Sequence, residues 1–434
     1  MLAGRVCALP NAALNFSRYR WRICALLFFA TTINYLDRQV IGLLKPTLMT
    51  DLHWSEIDFS NIQAAFTAAY AIGYAGGGWF MDRVGARFGY AAAVLGWSLA
   101  AMGHTLARTA MGFGAARFGL GLAEGGNFPA AIKTVSEWFP KKERALVTGI
   151  FNSGCNIAVM LTPLFVPPIA DKWGWPYAFL VTGALGLVWI AAWSIMYRPP
   201  QEHPRVSRAE LELIQNDPPD PVVKISWLEL LRYRQTWAFT AGIVLVSPVW
   251  WFYLFWVPGF LHDKYGLNLK DFGPPLVTIY LIASVGSVVG GWLSSWLLKR
   301  GWSLNAARKT ALLACAVCVV PVFAAASVSN LWVATILIGI AAAAHQGFSA
   351  NLYTLVSDTA PRYAVSSIVG IGGAASAIAG MFSAKVTGYI LEWTHSYVLL
   401  FGTSSVMYLI AVLVMHLINP RHEEMRLTAA PETK

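Results

Sequence analysis

Residues 76–89 read GGGWFMDRVGARFG, and residues 290–309 read GGWLSSWLLKRGWSLNAARK. Each follows a long apolar run, and each sets glycines ahead of a short basic cluster built around another glycine. The first stretch places Gly78, Asp82, Arg83, Gly85 and Arg87 in that order. The second places Gly291, Lys299, Arg300, Gly301, Arg308 and Lys309, with Ser295 where the first has its acid. A motif that recurs half a chain later predicts two halves of like construction.

The rest of the chain agrees. Its 434 residues are 56% hydrophobic and only 12% charged, with a mean hydropathy of +0.53. A soluble domain carries about 25% charged residues. Apolar runs of roughly 20 residues recur along the sequence, so the fold class is an all-α polytopic membrane protein. Hydropathy and Gly/Pro punctuation place twelve spans at 20–44, 58–81, 88–108, 111–135, 144–168, 175–197, 236–260, 272–298, 309–327, 331–357, 364–390 and 395–418. The longest polar break, 198–235, is rich in proline and charge. It divides the chain into an N-terminal six-helix bundle (1–197), a linker (198–235) and a C-terminal six-helix bundle (236–434). Within the linker, RAELELIQND (208–217) reads as a short amphipathic helix on the membrane surface.

The net charge of +10 is spread over short loops rather than gathered in a patch, which argues against a nucleic-acid partner. Basic residues crowd alternate loops: Arg18, Arg20 and Arg22, then Arg83 and Arg87, Lys141, Lys142 and Arg144, and the linker. The opposite loops hold Lys45, Arg108, Lys172, Lys264 and Lys270. The positive-inside rule then puts both termini in the cytoplasm. Cys7, Cys24, Cys155, Cys315 and Cys318 are scattered and suggest neither a disulfide framework nor a metal site. The first twenty residues lack a compact apolar core followed by a small-residue cleavage site, so no cleaved signal peptide is expected. No nucleophile, metal or cofactor motif points to an enzyme, and no cofactor is expected beyond a proton gradient.

Four ionisable residues interrupt the apolar runs of the N-terminal half. Asp37 and Arg38 lie in TTINYLDRQVIGLL, and Arg117 and Glu124 in AARFGLGLAEGGNFP. Charges at membrane depth are costly and mark ion or substrate paths when they face a wet cavity. Arg38 sits about six residues before the outer end of the first span and Arg117 about six after the outer end of the fourth. Both therefore lie roughly 9 Å below that boundary, within reach of one solute. Each guanidinium offers a planar fork that suits a carboxylate, although one of the two could instead neutralise a glutamate. Glu124 follows Arg117 by seven residues, on the same face and about 10 Å deeper. A carboxyl that can be neutral or charged near the midplane is a plausible proton carrier. Asp37 points elsewhere on its helix. The competing reading makes all four a structural ion network, with Gly121, Gly125 and Gly126 serving ordinary small-residue packing.

Polar and aromatic residues suggest the remainder of a cavity. Tyr35 and Tyr70 lie near the depth of the arginines. FNSGCN (151–156) offers Asn156, PVWWFYLFW (248–256) offers Tyr253 or Trp251, and AAHQGFSANLYTL (343–355) offers His345, Gln346 and Tyr353. Hydroxyl and amide groups together with a flat aromatic face suit a sugar. Each residue also has a plain packing explanation, and for His345 a proton relay is a further alternative.

The loop at 78–87 resembles the G-x(3)-D-R-x-G-x-R loop of the major facilitator superfamily. With twelve spans and a split centre, the resemblance covers nearly the whole chain. YLDR at 35–38, the Arg117–Glu124 spacing, SEWFPKKERA (136–145) and SANLYTLVSDTAPR (349–362) narrow it to the anion:cation symporter family. Within that family the chain is similar to bacterial hexuronate and aldonate carriers, and TTINYLDRQVIGLLKP looks closest to the hexuronate type. The resemblance implies a proton-coupled symporter of a hexuronate (galacturonate or glucuronate) that works by alternating access in the inner membrane, as a monomer. It makes Arg38 and Arg117 the anion-handling pair, assigns proton coupling to Asp37 and Glu124, and matches Tyr35 and Tyr70 to tyrosines of the sugar-acid carriers. Gly78, Asp82, Arg83, Gly85 and Arg87 become a conformational latch rather than a substrate site, weakened or rebuilt in the second copy. Aldonate carriers have glutamine where Cys155 stands, so an aldonate such as galactonate, a tartrate-like diacid or an aromatic acid remains the alternative solute. A transporter-like sensor and a drug antiporter are the other classes to separate.

Overall fold

In the computed structural model, residues 18–54, 56–215, 229–267, 273–394, 396–421 and 423–425 are described, and among them there is no strand. The helices are α1 (Tyr19–Asp51), α2 (Glu56–Val84), α3 (Ala86–Gly103), α4 (Ala110–Glu124), α5 (Asn127–Trp138), α6 (Lys141–Trp173) and α7 (Trp175–Met196). After α8 (Arg208–Ile214) come α9 (Arg234–Tyr265), α10 (Gly273–Lys299), α11 (Leu304–Val319), α12 (Leu331–Thr359), α13 (Val365–Thr394) and α14 (Val398–Ile418). Counting α4 with α5 as one broken span and setting α8 aside, the described residues form twelve long helical segments. Eight helices, from Lys141–Trp173 onward, are long and apolar enough to cross a membrane on those grounds alone. Of the others, α1 carries Asp37, Arg38 and Lys45, and α4 and α5 are each short.

The break in the fourth span falls immediately after Glu124. Gly125 and Gly126, the weakest helix formers apart from proline, close the turn with bonds to Gly121 O (3.1 Å) and Ala123 O (3.2 Å). The unbroken span over 111–135 read from hydropathy is therefore two helices. The same glycines let α4 approach α2: a Cβ on Gly125 would stand 2.5 Å from the Gly73 carbonyl carbon. Elsewhere the helices start where the sequence caps them. Thr109 accepts from Gly112 N (3.1 Å), and Asn330 accepts from Trp332 N (2.9 Å). Large apolar side chains such as Met111, Ile195, Trp393 and Leu417 face outward, as lipid contact requires.

α8 does not lie free on a surface. Its Glu210 is fully buried and accepts from Tyr19 N (3.0 Å), Arg20 N (3.1 Å) and Arg20 Nη1 (3.1 Å), capping α1 with a carboxylate. The amphipathic pattern of 208–214 thus serves docking against the N-terminal bundle, with Ile214 buried. Residues 215–217 of that reading extend past the helix, and 216–228 lie outside the described residues.

The two halves meet through α2 against α13 and α6 against α10, with α12 touching α5 and α6. Ser366 Oγ donates to Pro129 O (2.9 Å), Leu146 N to Ser295 Oγ (3.3 Å) and Arg308 Nη2 to Lys141 O (2.9 Å). These bonds lie at the end of the bundles that carries the linker.

Candidate functional site

Between the halves, toward mid-depth, lies a cavity of about 880 Å³, its open mouth included. From the N-terminal half, Tyr35, Arg38, Gln39, Tyr70, Tyr74, Phe128, Asn152 and Cys155 line it. From the C-terminal half come Ser247, Trp250, Trp251, His345, Gln346, Ser349, Tyr353 and Ser376, with apolar neighbours. On α9 the lining residues Ile243, Val246, Ser247, Trp250, Trp251 and Leu254 are spaced three and one apart, the stripe of one helix face.

Arg38 is the cation of the wall. Its Nε and Nη2 both reach Glu124 Oε2 at 2.9 Å, and its guanidinium carbon stands 4.5 Å from the Tyr35 ring centre and 4.4 Å from that of Tyr70. Two aromatic faces and one carboxylate hold the fork in place. Glu124 itself is fully buried behind the wall, and its Oε1 has no hydrogen-bond partner among the described residues.

Arg117 is placed differently from the two-arginine clamp expected above. It is buried and does not line the cavity; its Nη2 donates to the Arg38 carbonyl at 2.9 Å, leaving Nε and Nη1 without partners among the described residues. Each guanidinium carbon stands 5.2 Å from the Phe66 ring centre. The two forks do not both face the cavity, because Arg117 is directed at the α1 backbone. Asp37 is buried too, with neither carboxylate oxygen hydrogen-bonded among the described residues.

On the other wall, His345 Nδ1 lies 2.5 Å from Tyr408 Oη, and its ring stacks on Trp250 at 4.8 Å and 7°. Gln346 bridges the halves: Asn152 Nδ2 donates to its Oε1 (2.8 Å), and its Nε2 donates to Asn156 Oδ1 (3.0 Å). Asn156, expected in the cavity wall, is instead buried outside the lining, where it accepts from Gln346. Tyr253 is likewise buried off the cavity, with no partner for its hydroxyl among the described residues, because the α9 stripe turns Trp250 and Trp251 inward instead. Tyr353 lines the wall and meets Tyr74 hydroxyl to hydroxyl at 3.4 Å. Tyr74, Trp250, Ser247 and Ser376 are not among the residues expected from sequence, and of the polar side chains of FNSGCN it is Asn152, not Asn156, that lines the wall. Tyr74 was within reach, one turn from Tyr70.

In the 78–87 loop, Asp82 joins the halves. Its Oδ2 accepts from Ser367 N (2.7 Å), and its Oδ1 from Lys133 Nζ (2.8 Å), which also donates to Arg362 O (3.0 Å). A Cβ on Gly78 would stand 2.3 Å from Ser366 O, so only glycine fits that crossing. Gly85 turns the chain at φ +87°. Arg83 is exposed against Trp79, and Arg87 lies over Phe88. In the second copy the acid comes from α12. Asp358 Oδ2 accepts from Arg308 Nε (2.7 Å) with Arg144 3.7 Å away; Arg308 also bonds Ser294 Oγ, and Arg144 bonds Ser357 O.

A twelve-segment helical bundle in two halves, with a polar cavity between them, defines a membrane transporter. The model of the Major Facilitator Superfamily matches residues 27–384. The chain belongs to that superfamily. It is 32% identical over 403 residues to the hexuronate transporter of Escherichia coli K12, covering 91% of this chain and 93% of that one. It is 35% identical over 292 residues to the galacturonate transporter of Dickeya chrysanthemi, covering 66% and 84%. The D-galactonate transporter of Escherichia coli O6:H1 is 28% identical, covering 88% and 92%. Among solved structures, the proton:xylose symporter XylE shares the fold at a TM-score of 0.72 and 14% identity, covering 93% of this chain and 97% of that one.

Proposed function

We propose that the protein imports a hexuronate such as galacturonate or glucuronate together with a proton, by alternating access across the cytoplasmic membrane, with both termini in the cytoplasm. The observation that carries this reading is the Arg38–Glu124 pair at 2.9 Å, set into the cavity wall between Tyr35 and Tyr70. With Glu124 ionised, the fork of Arg38 is engaged by a protein carboxylate. A proton on Glu124 releases the fork for the carboxylate of the solute, so anion binding and protonation become one event. Arg117 and Asp37, packed behind the wall, set the field at that pair rather than touch the solute. Gln346, Asn152, Tyr70 and Tyr353 supply donors and acceptors for sugar hydroxyls, and Trp250 and Trp251 offer a flat apolar face. The likeness to the hexuronate and galacturonate transporters supports the sugar-acid class.

Uptake of labelled galacturonate into proteoliposomes under an inward proton gradient tests this. Gradient-dependent accumulation is expected, and its absence with every sugar acid sinks the proposal. Glu124→Gln holds the neutral form permanently: exchange across the membrane should persist while accumulation falls to a ratio of about one. Continued uphill accumulation by that variant removes Glu124 from the coupling step. The second reading, an aldonate, rests on the likeness to the D-galactonate transporter. A thermal-shift panel of hexuronates, aldonates, diacids and aromatic acids separates the two.

A further inference from the structure

A groove on the outer flank of the C-terminal half, remote from the central cavity, runs between α11 and α14. Lys309, Thr310, Leu312, Leu313, Val412, Met415 and His416 line it, and no carboxylate is among them. Its floor and walls are apolar, and it continues into the exposed side chains of Leu313, Val317, Leu413 and Leu417. That is the lipid-facing perimeter of a spanning bundle. Its polar end lies at the linker end of the molecule, at the first turns of α11 and the last turn of α14.

The hydrogen bonds at that end leave donors over. Lys309 Nζ donates to Pro420 O and lies 2.9 Å from His416 Nδ1. An ammonium has three N–H groups, and the third has no acceptor among the described residues. Because the ammonium has no lone pair, Nδ1 is the acceptor in that contact, which puts the ring proton on Nε2. Two N–H donors, one of them cationic, therefore cap an apolar groove that holds no acid to take them.

We propose that this groove binds an anionic phospholipid, its phosphate against Lys309 and His416 and an acyl chain along Leu312, Leu313 and Val412. Shape and charge select for this occupant together. The groove opens on the bilayer, its donors lie at headgroup level, and its charge is positive in a face where basic side chains attract acidic lipid. A free phosphate shares the headgroup chemistry but has nothing to place in the apolar part.

The test uses the purified full chain in mild detergent, titrated with phosphatidylglycerol, phosphatidylcholine or glycerol phosphate while bound lipid is counted by native mass spectrometry and melting is followed. Phosphatidylglycerol should be retained and raise the melting temperature beyond phosphatidylcholine. Lys309→Ala should weaken that retention roughly fivefold, the worth of one basic side chain near an acidic headgroup. Lys309→Arg should keep it, and Lys309→Ala/His416→Ala should bring the two lipids level. Equal retention of both lipids by the unaltered protein overturns the proposal, as does full phosphatidylglycerol preference in the double variant. An equal melting shift from glycerol phosphate assigns the site to free phosphate and overturns the lipid. Should Lys309→Ala fail to fold, His416→Ala alone carries the test: it removes Nε2–H and the Nδ1 acceptor together, and an undiminished preference there is equally decisive.

Discussion

Two buried clusters of ions, one behind the cavity wall and one at the linker end, are finished differently. In the C-terminal half every nitrogen of the Arg308 guanidinium is engaged, by Asp358, Ser294 Oγ and the Lys141 carbonyl, and only Asp358 Oδ1, 3.7 Å from Arg144, lacks a hydrogen bond among the described residues. In the N-terminal half, both oxygens of Asp37, one of Glu124 and two nitrogens of Arg117 have no hydrogen-bond partner among the described residues. Buried polar groups are nearly always satisfied, and an unsatisfied one calls for an explanation. The more nearly saturated cluster lies at the linker end, bridging to the Lys141 and Ser357 carbonyls in the two halves. The unsaturated one lies behind the cavity wall, where a proton can complete its carboxylate oxygens. Under the proposed mechanism the contrast is that between a fastening and a working part.

The largest effect expected from breaking this contrast is at the fastening. Asp358→Asn leaves Arg308 and Arg144 buried around a neutral amide. Removing one partner of a buried ion pair costs about 3–5 kcal/mol, read as a large fall in melting temperature in detergent. Asp82→Asn should cost less, since Lys133 keeps the Arg362 carbonyl and its flexible ammonium is easier to re-solvate. If Asp358→Asn melts with the unaltered protein, the cluster is no fastening.

The next effect is functional. Arg38→Lys keeps the charge but loses the fork and the stacking on Tyr35 and Tyr70. Under the proposed mechanism, uptake efficiency at low substrate should fall by roughly 100-fold, corresponding to the 2–5 kcal/mol typical of a truncated buried charge pair. Melting should change little by comparison with Asp358→Asn. Near-normal uptake by Arg38→Lys would show that a point charge suffices and that the planar geometry is incidental.

How much of this the sequence disclosed follows the kind of information a helix pattern carries. Spacing along a helix gives position along its axis, and Arg38, Arg117 and Glu124 do gather in one region of the fold, with Arg38 reaching Glu124 itself. Direction around the axis depends on which neighbour packs where. Arg117 therefore turned toward the α1 backbone instead of the cavity, and Asn152 rather than Asn156 reached the wall. The repeated glycine-and-basic loop carried the two-half architecture, because Gly78 meets a backbone crossing and Gly85 a positive φ that few other residues tolerate. The break after Glu124 was hidden: only Asn127 separates Gly125 and Gly126 from the apolar run that resumes at Phe128, so hydropathy runs through it. Asp358 was hidden for another reason. The second loop copy lost its acid at Ser295, and the replacement comes from α12, some sixty residues away in sequence.

The smallest effect sharpens the contrast from the side of the aromatic wall. Tyr253 and Trp250 share one aromatic run on α9, yet Trp250 faces the cavity and stacks on His345, whereas Tyr253 is turned into the core with an unpaired hydroxyl. A buried hydroxyl without a partner contributes nothing favourable and carries a desolvation cost, so its removal is neutral or stabilising. Tyr253→Phe should therefore leave uptake within about twofold and raise or preserve the melting temperature, by less than about 1 kcal/mol. Trp250→Phe removes the flat surface beside His345 and should raise the half-saturating sugar-acid concentration several-fold while leaving melting comparatively unaffected. A loss of uptake in Tyr253→Phe as large as in Trp250→Phe would place the Tyr253 hydroxyl on the solute, and would mean that the α9 stripe rotates during transport to bring it there.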